Sequence, residues 1–212
     1  MNSVIIDFFE QEKEISMDIP IKSSSGYSTM PIESKLISER IIFIAGDITQ
    51  ETAMETCKEL LFLAREKQNQ PIDIIINSNG GAVDAGLMIL DAISTSELEI
   101  HTWCFSKAFS MAALLFSAGN KRFLFRNAKL MIHQPLVAAS CIEGNAAMIK
   151  SVSESLLATS KTINEILSVN TGKSINEIEE ATRTDHYFTA KEAVDFGLAD
   201  KVVSLNELIK KG

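Results

Sequence analysis

Apolar residues fall into a steady rhythm from about Lys35. The run "RIIFIAG" (40–46) is short, continuous and closed by glycine, which predicts a buried strand. In "TAMETCKELLFLAREK" (52–67) the apolar period lengthens to three and four. This predicts a helix with Ala53, Cys57, Leu60, Leu61 and Ala64 on one face, opened by a Thr52/Glu55 capping box. A second continuous run, "IDIIIN" (72–77), leads through "SNGG" into the helical "AVDAGLMILDAIS". A strand over 98–104, a small-residue helix after Ser110, and two short strands, "RFLF" and "KLMI", complete this pattern. Short apolar strands alternating with helices predict an α/β layer with a mostly parallel sheet, covered on both faces.

The last third reads as mainly helical. The long segment 143–169 carries an apolar stripe of Ala146, Ile149, Val152, Leu156, Thr159, Ile163 and Ile166, and such a stripe needs an apolar partner along its length. Two shorter helices follow, opened by the capping boxes Ser174/Glu177 and Thr189/Glu192, with Gly197 as the stop for the second. Residues 1–34 differ. They hold "KSSSGYSTMP", two of the four prolines and no sustained period, so we expect a flexible arm with one short amphipathic piece, "SVIIDFF". Residues 35–212 are then a single domain.

Composition narrows the function classes. The net charge of −8 argues against nucleic acid and against an anionic membrane surface as partners. Neither a secretory leader nor a bilayer-spanning run is visible. Cys57, Cys104 and Cys141 are odd in number and lack metal or redox spacing, so we expect reduced, packed thiols and a cytoplasmic setting.

Three features fall at the C-terminal ends of predicted strands, where α/β sheets bind ligands. They are "NSNGG" (77–81), Ser110, and His133 in "LMIHQP". The Gly80-Gly81 turn has no side chains in the way, so its N–H groups can approach a ligand closely. Ser110 fits either a helix N-cap or a nucleophile, and His133 either a structural histidine or a base. A serine hydroxyl attacks well only when a base takes its proton and a third group orients that base. Asp185, in the loop of "TRTDHYFTA" (182–190), is a carboxylate available for that third part, or an ordinary solvated one. His101 is expected within a strand and His186 in a loop. No set of residues has metal-ligand spacing, and no cofactor is expected.

Together "RIIFIAGDI", "INSNGGAVDAG", "FSMAALLFSAG", "LMIHQP" and "NTGKSINEIEEATRTDHYFTAKEAVDFGLADKVV" resemble the ClpP family, the proteolytic subunits of the ATP-dependent Clp protease. The match runs in order from about Lys35 to Val203. It implies a ClpP/crotonase-like fold of stacked ββα units with a protruding helical handle, here 143–169. It also implies a serine endopeptidase acting on unfolded proteins and small peptides. Ser110 matches the nucleophile, His133 the base and Asp185 the orienting carboxylate, while Gly81 and Met111 match the residues whose N–H groups form the oxyanion hole. Homo-oligomeric, stacked seven-membered rings and an AAA+ unfoldase as partner are implied as well.

Several positions depart from the family pattern. Asn79 replaces a proline before the glycines, Ala112 replaces a glycine after Ser-Met, and "VAASCIEGN" replaces a glycine-rich substrate-pairing segment. Thr184 stands where an inter-ring arginine is usual. Asp73, Ile75 and Thr95 replace aromatic residues of the unfoldase-docking cleft, and a charge at Asp73 is expected to face an apolar docking loop without a partner. Two alternatives to an active peptidase are therefore carried. One is a catalytically weak ring subunit regulating an active paralogue; the other is an acyl-CoA-binding crotonase relative, which the serine, histidine and aspartate argue against.

Overall fold

The computed structural model describes residues 17–209 apart from 25, 67–69 and 138–143. The chain forms two units, meeting in sequence between Glu39 and Arg40. In the first, β1 (Asp18–Ser23) and β2 (Gly26–Pro31) pair as an antiparallel hairpin, and α1 (Ile32–Ser38) follows. These elements lie largely within the arm read as flexible from the sequence. The "SVIIDFF" piece lies outside the described residues.

The second unit is the α/β layer. Its elements are β3 (Ile41–Ile48), α2 (Gln50–Arg65), β4 (Ile72–Gly81), α3 (Val83–Ser94), β5 (Ile100–Phe109), α4 (Met111–Ser117), β6 (Lys121–Phe125) and β7 (Lys129–Ile132). Then come α5 (Ala146–Thr171), α6 (Ile175–Thr182), β8 (His186–Thr189), α7 (Ala190–Phe196), β9 (Lys201–Val203) and α8 (Leu205–Ile209). The sheet runs β3-β4-β5-β6-β9, all parallel, while β7 pairs parallel with β5 and antiparallel with β8. The expected α/β fold with a mostly parallel sheet is the one observed.

Pleating decides which residues enter the core. Ile42, Ile44, Ile72, Ile74, Ile76, Ile100 and Leu124 are buried together on one face, under the helices. Register aligns Phe43, Ile75, Trp103 and Phe123 across the other face, where the Trp103 and Phe123 rings lie 4.3 Å apart. That face is only partly covered, with Phe43 and Phe105 exposed.

Helix α2 departs from its expected register. It begins at Gln50, with Thr49 as N-cap accepting from the Thr52 N–H at 3.2 Å, so Thr52/Glu55 is not its capping box. Its buried face is Ala53, Thr56, Leu60 and Leu63, and Leu61 is exposed. Thr56 can turn inward because its hydroxyl donates to the Thr52 carbonyl (2.9 Å). By contrast, both later capping boxes form as expected, and Gly172 and Gly197 end α5 and α7 in the left-handed conformation.

Asp73 also differs from expectation. It is already buried, accepts a hydrogen bond from Trp103 Nε1 (2.6 Å) and lies 3.5 Å from His101 Nδ1. The charge was expected to lack a partner, and it has two. His101 lies in β5 as expected and is buried, its Nε2 2.8 Å from Glu99. His186 begins a strand rather than lying in a loop. Cys104 is buried and Cys57 half-buried, and burial pushes both thiols up, Cys104 to about 12. Cys141 lies outside the described residues.

Candidate active site

Strand register assembles the site. In β4–β5 the parallel pairing Ser78↔Ala108, carried two residues on, sets Gly80 abreast of Ser110. In β5–β7, Phe109 pairs with Met131, and the Ser110 N–H donates to the Met131 carbonyl at 2.8 Å. In the antiparallel β7–β8 pair, Ile132 faces His186, so the next rung sets His133 opposite Asp185. The Gln134 N–H donates to the Thr182 carbonyl at 2.8 Å, tying the two segments together just beyond that rung. Positions far apart in sequence converge because three strand pairings hold a common register.

Side chains complete the convergence. Ser110 Oγ lies 2.7 Å from His133 Nε2, and His133 Nδ1 lies 3.1 Å from Asp185 Oδ1. A carboxylate only accepts, so the Nδ1 proton points to Asp185, and Nε2 is left to accept the serine O–H. The His133 side chain is 15% exposed and that of Asp185 55%, so the acid end of the relay faces water.

Ser110 occupies the N-cap position of α4 but does not cap it: no side-chain cap bond forms, and the hydroxyl turns to His133 instead. Its backbone sits at φ 55°, ψ −123°, one of two non-glycine residues with positive φ among those described. Such a conformation costs about 1–3 kcal/mol and persists only where surrounding contacts enforce it. Here α4 is buried from Met111 to Ser117, which pins the turn from inside.

The two residues that match the oxyanion-hole positions, Met111 and Gly81, lie at the start of α4 and the end of β4. Ala113 and Leu114 donate to the Ser110 carbonyl, so the Met111 N–H lies ahead of the first intrahelical bond and has no helical acceptor. On β4 the Ala82 N–H bonds to the Ile48 carbonyl at 2.8 Å. Gly81 pairs with Ile48 at the end of β4, next to Gly80. Gly80 must be glycine, since a Cβ there would stand 2.9 Å from Ser110 Cβ and 2.7 Å from the Phe109 carbonyl oxygen. Ser78, which the sequence did not single out, is fully buried and accepts from the Gly80 N–H at 2.9 Å, fixing this turn. Nothing local distinguishes that serine from any other strand-end residue.

A narrow recess adjoins Ser110 and His133, walled by Val83, Met111, Leu114, Ile132, Ile163 and Leu167. Beyond Val83 and Pro135 it continues as a broader groove against Val152, Ser155, Leu156 and Thr159 of α5. Among the described residues no cluster of His, Cys, Asp or Glu could hold a metal ion, and no helix is long and apolar enough to cross a membrane.

A family model of the Clp protease matches residues 24–206. The chain belongs to the Clp protease family. The match starts ahead of Lys35, where the resemblance first becomes legible, and takes in every element from β2 to the start of α8. Membership of the Clp protease family makes this a ClpP-type peptidase in general terms, on the α/β fold described above.

Proposed function

We propose that the chain is a serine endopeptidase in which Ser110 is the nucleophile, His133 the general base and Asp185 the orienting carboxylate. What carries this assignment is the unbroken relay of 2.7 and 3.1 Å from Ser110 Oγ through His133 to Asp185. In the first step Oγ attacks the scissile carbonyl carbon while its proton passes to His133 Nε2. The resulting imidazolium is held by Asp185 through Nδ1–H. The carbonyl oxygen becomes an oxyanion received by the N–H groups of Gly81 and Met111. Collapse expels the amine, which takes the proton from Nε2 and leaves an acyl group on Ser110. Water then repeats the sequence, with His133 again as base, and frees the acid.

The apolar recess favours an uncharged side chain on the residue whose carbonyl is attacked, because a charge there would be desolvated without a partner. The open groove beyond it suits an extended chain, as unfolded proteins and small peptides supply. We further infer stacked homomeric rings with inward-facing sites, served by an AAA+ unfoldase in the cytoplasm. Supporting the assembly, the first half of α5 leaves Met148, Ile149 and Leu157 exposed. A catalytically weak regulatory subunit is the alternative.

Intact-mass measurement after treatment with a fluorophosphonate probe separates the two. One adduct per chain, absent in Ser110→Ala, is expected. An unreacted native assembly would leave the regulatory-subunit reading standing and remove the peptidase one.

A further inference from the structure

Gly86 sits inside α3, fully among buried residues, where glycine is among the least favourable helix formers. Its φ is not in the left-handed region, so backbone freedom does not explain it. Space does. A Cβ on Gly86 would fall inside the Met111 side chain, against Cγ and Sδ, with Cε 3.2 Å away. Met111 is 4% exposed and forms one wall of the recess beside Ser110. The neighbouring walls, Leu114, Ile132 and Leu167, are each 2% exposed and cannot yield room. A thioether pushed off α3 has the recess as its free space.

We propose that Gly86 sets the depth of this recess, and with it the size of side chain accepted at the attacked residue. Lacking a Cβ, it lets the Met111 side chain lie back against α3 rather than across the recess. Gly86 touches neither substrate nor reacting atoms and acts through Met111, so it is a positioning residue. Methionine has three rotatable side-chain bonds, so displacement of its thioether is absorbed by rotation. The Met111 N–H stays beside Ser110, and chemistry on small substrates continues while large side chains are excluded. This inference rests on the serine-peptidase reading above.

The test uses N-capped peptidyl-coumarin amides that differ only in the residue bearing the attacked carbonyl: alanine, leucine or phenylalanine. A methylene-scale change in an apolar pocket alters selectivity by about 10- to 200-fold. In Gly86→Ala, kcat/KM for the leucine and phenylalanine peptides is therefore expected to fall at least about tenfold relative to the alanine peptide. The loss should appear mainly in KM, as removal of binding common to ground and transition states requires. The double variant Gly86→Ala/Met111→Ala should restore the large-to-small ratio, since the shortened side chain no longer needs the space. A merely structural defect would depress all three peptides alike and would not be rescued.

If Gly86→Ala does not fold, Met111→Ala in the native background decides, and is expected to raise the phenylalanine-to-alanine ratio. An unchanged ratio in Met111→Ala, or a uniform loss in a folded Gly86→Ala, overturns the proposal. Should the unmodified protein react with fluorophosphonate while these ratios stay fixed, only the role of Gly86 falls. Failure of the unmodified protein both to react and to hydrolyse any of the peptides removes this proposal together with the peptidase reading.

Discussion

At residue 110 two demands compete for one hydroxyl. The first turn of α4 offers N–H groups that an N-cap serine ordinarily satisfies. His133 offers an acceptor at 2.7 Å, and the strained φ of 55° turns Oγ toward it. The cost in local strain is compatible with the buried α4 behind it, which holds the turn in place. Asp185 then has a single task, to keep the proton on Nδ1. Replacing Asp185 by Asn reverses the preferred tautomer, since an amide N–H would donate to Nδ1 and leave Nε2 protonated. We expect kcat to fall by up to roughly 10⁴-fold without loss of folding. Steady-state kinetics with parallel thermal melts checks this, and a merely twofold effect would show that another group orients His133. At this scale the sequence supplied candidates, while competing roles for serine, histidine and aspartate could not be separated without knowing what each faces.

Among elements, α2 is where pattern and packing disagree. Its apolar positions admit more than one face, and contact with α3 and the sheet selected Thr56 and Leu63 over Leu61. The same helix carries Glu59, whose carboxyl is pushed up from 4.5 to about 7, first by burial and then by Glu55 one turn earlier. The folded state therefore holds this proton more tightly than the unfolded chain. Glu59 contributes most favourably below about pH 4.5, and that contribution is lost as pH rises through 7. Glu59→Gln is neutral throughout, so its Tm should exceed that of the parent by a few degrees at pH 8 and by less at pH 5. Equal gains at both pH values would assign the effect to packing instead. Boundaries were most legible where caps are local. Ser174/Glu177 and Thr189/Glu192 close reciprocal bonds within three residues, whatever the rest of the chain does.

For the whole molecule, α5 poses the question of what covers it. Its 26 residues span about 39 Å at 1.5 Å per residue. In the C-terminal half Ile163 of the stripe is buried but Ile166 only half-buried, and the buried face turns instead to Asn164 and Leu167. Toward the N-terminal end, Val152 and Leu156 are only half-buried, and Met148, Ile149 and Leu157 are exposed. A second copy from an opposing ring is the expected cover, giving an assembly of fourteen 23.3-kDa chains. Val152→Glu together with Leu156→Glu should split it into single rings, because charges buried in an apolar seam lack partners. Light scattering on gel-filtered protein at micromolar concentration reports the outcome. A monomer or dimer of the unmodified chain would refute the double ring.

Sequence alone determined what acts over a few residues: most strand and helix periods, two capping boxes, the Gly197 stop, and the motifs that carry the family resemblance. Tertiary structure decided everything that depends on register. Ser110 and His133 are 23 positions apart, and His133 and Asp185 are 52 apart. A one-residue slip in β7 or β8 would turn those side chains to opposite faces. Asp73 finds Trp103 thirty residues away by the same kind of cross-strand pairing. The space kept by Gly86 belongs to α3 and α4 together and is encoded in neither segment by itself. Local signals are set by bonds to near neighbours, whereas a site is set by which neighbours the sheet brings alongside.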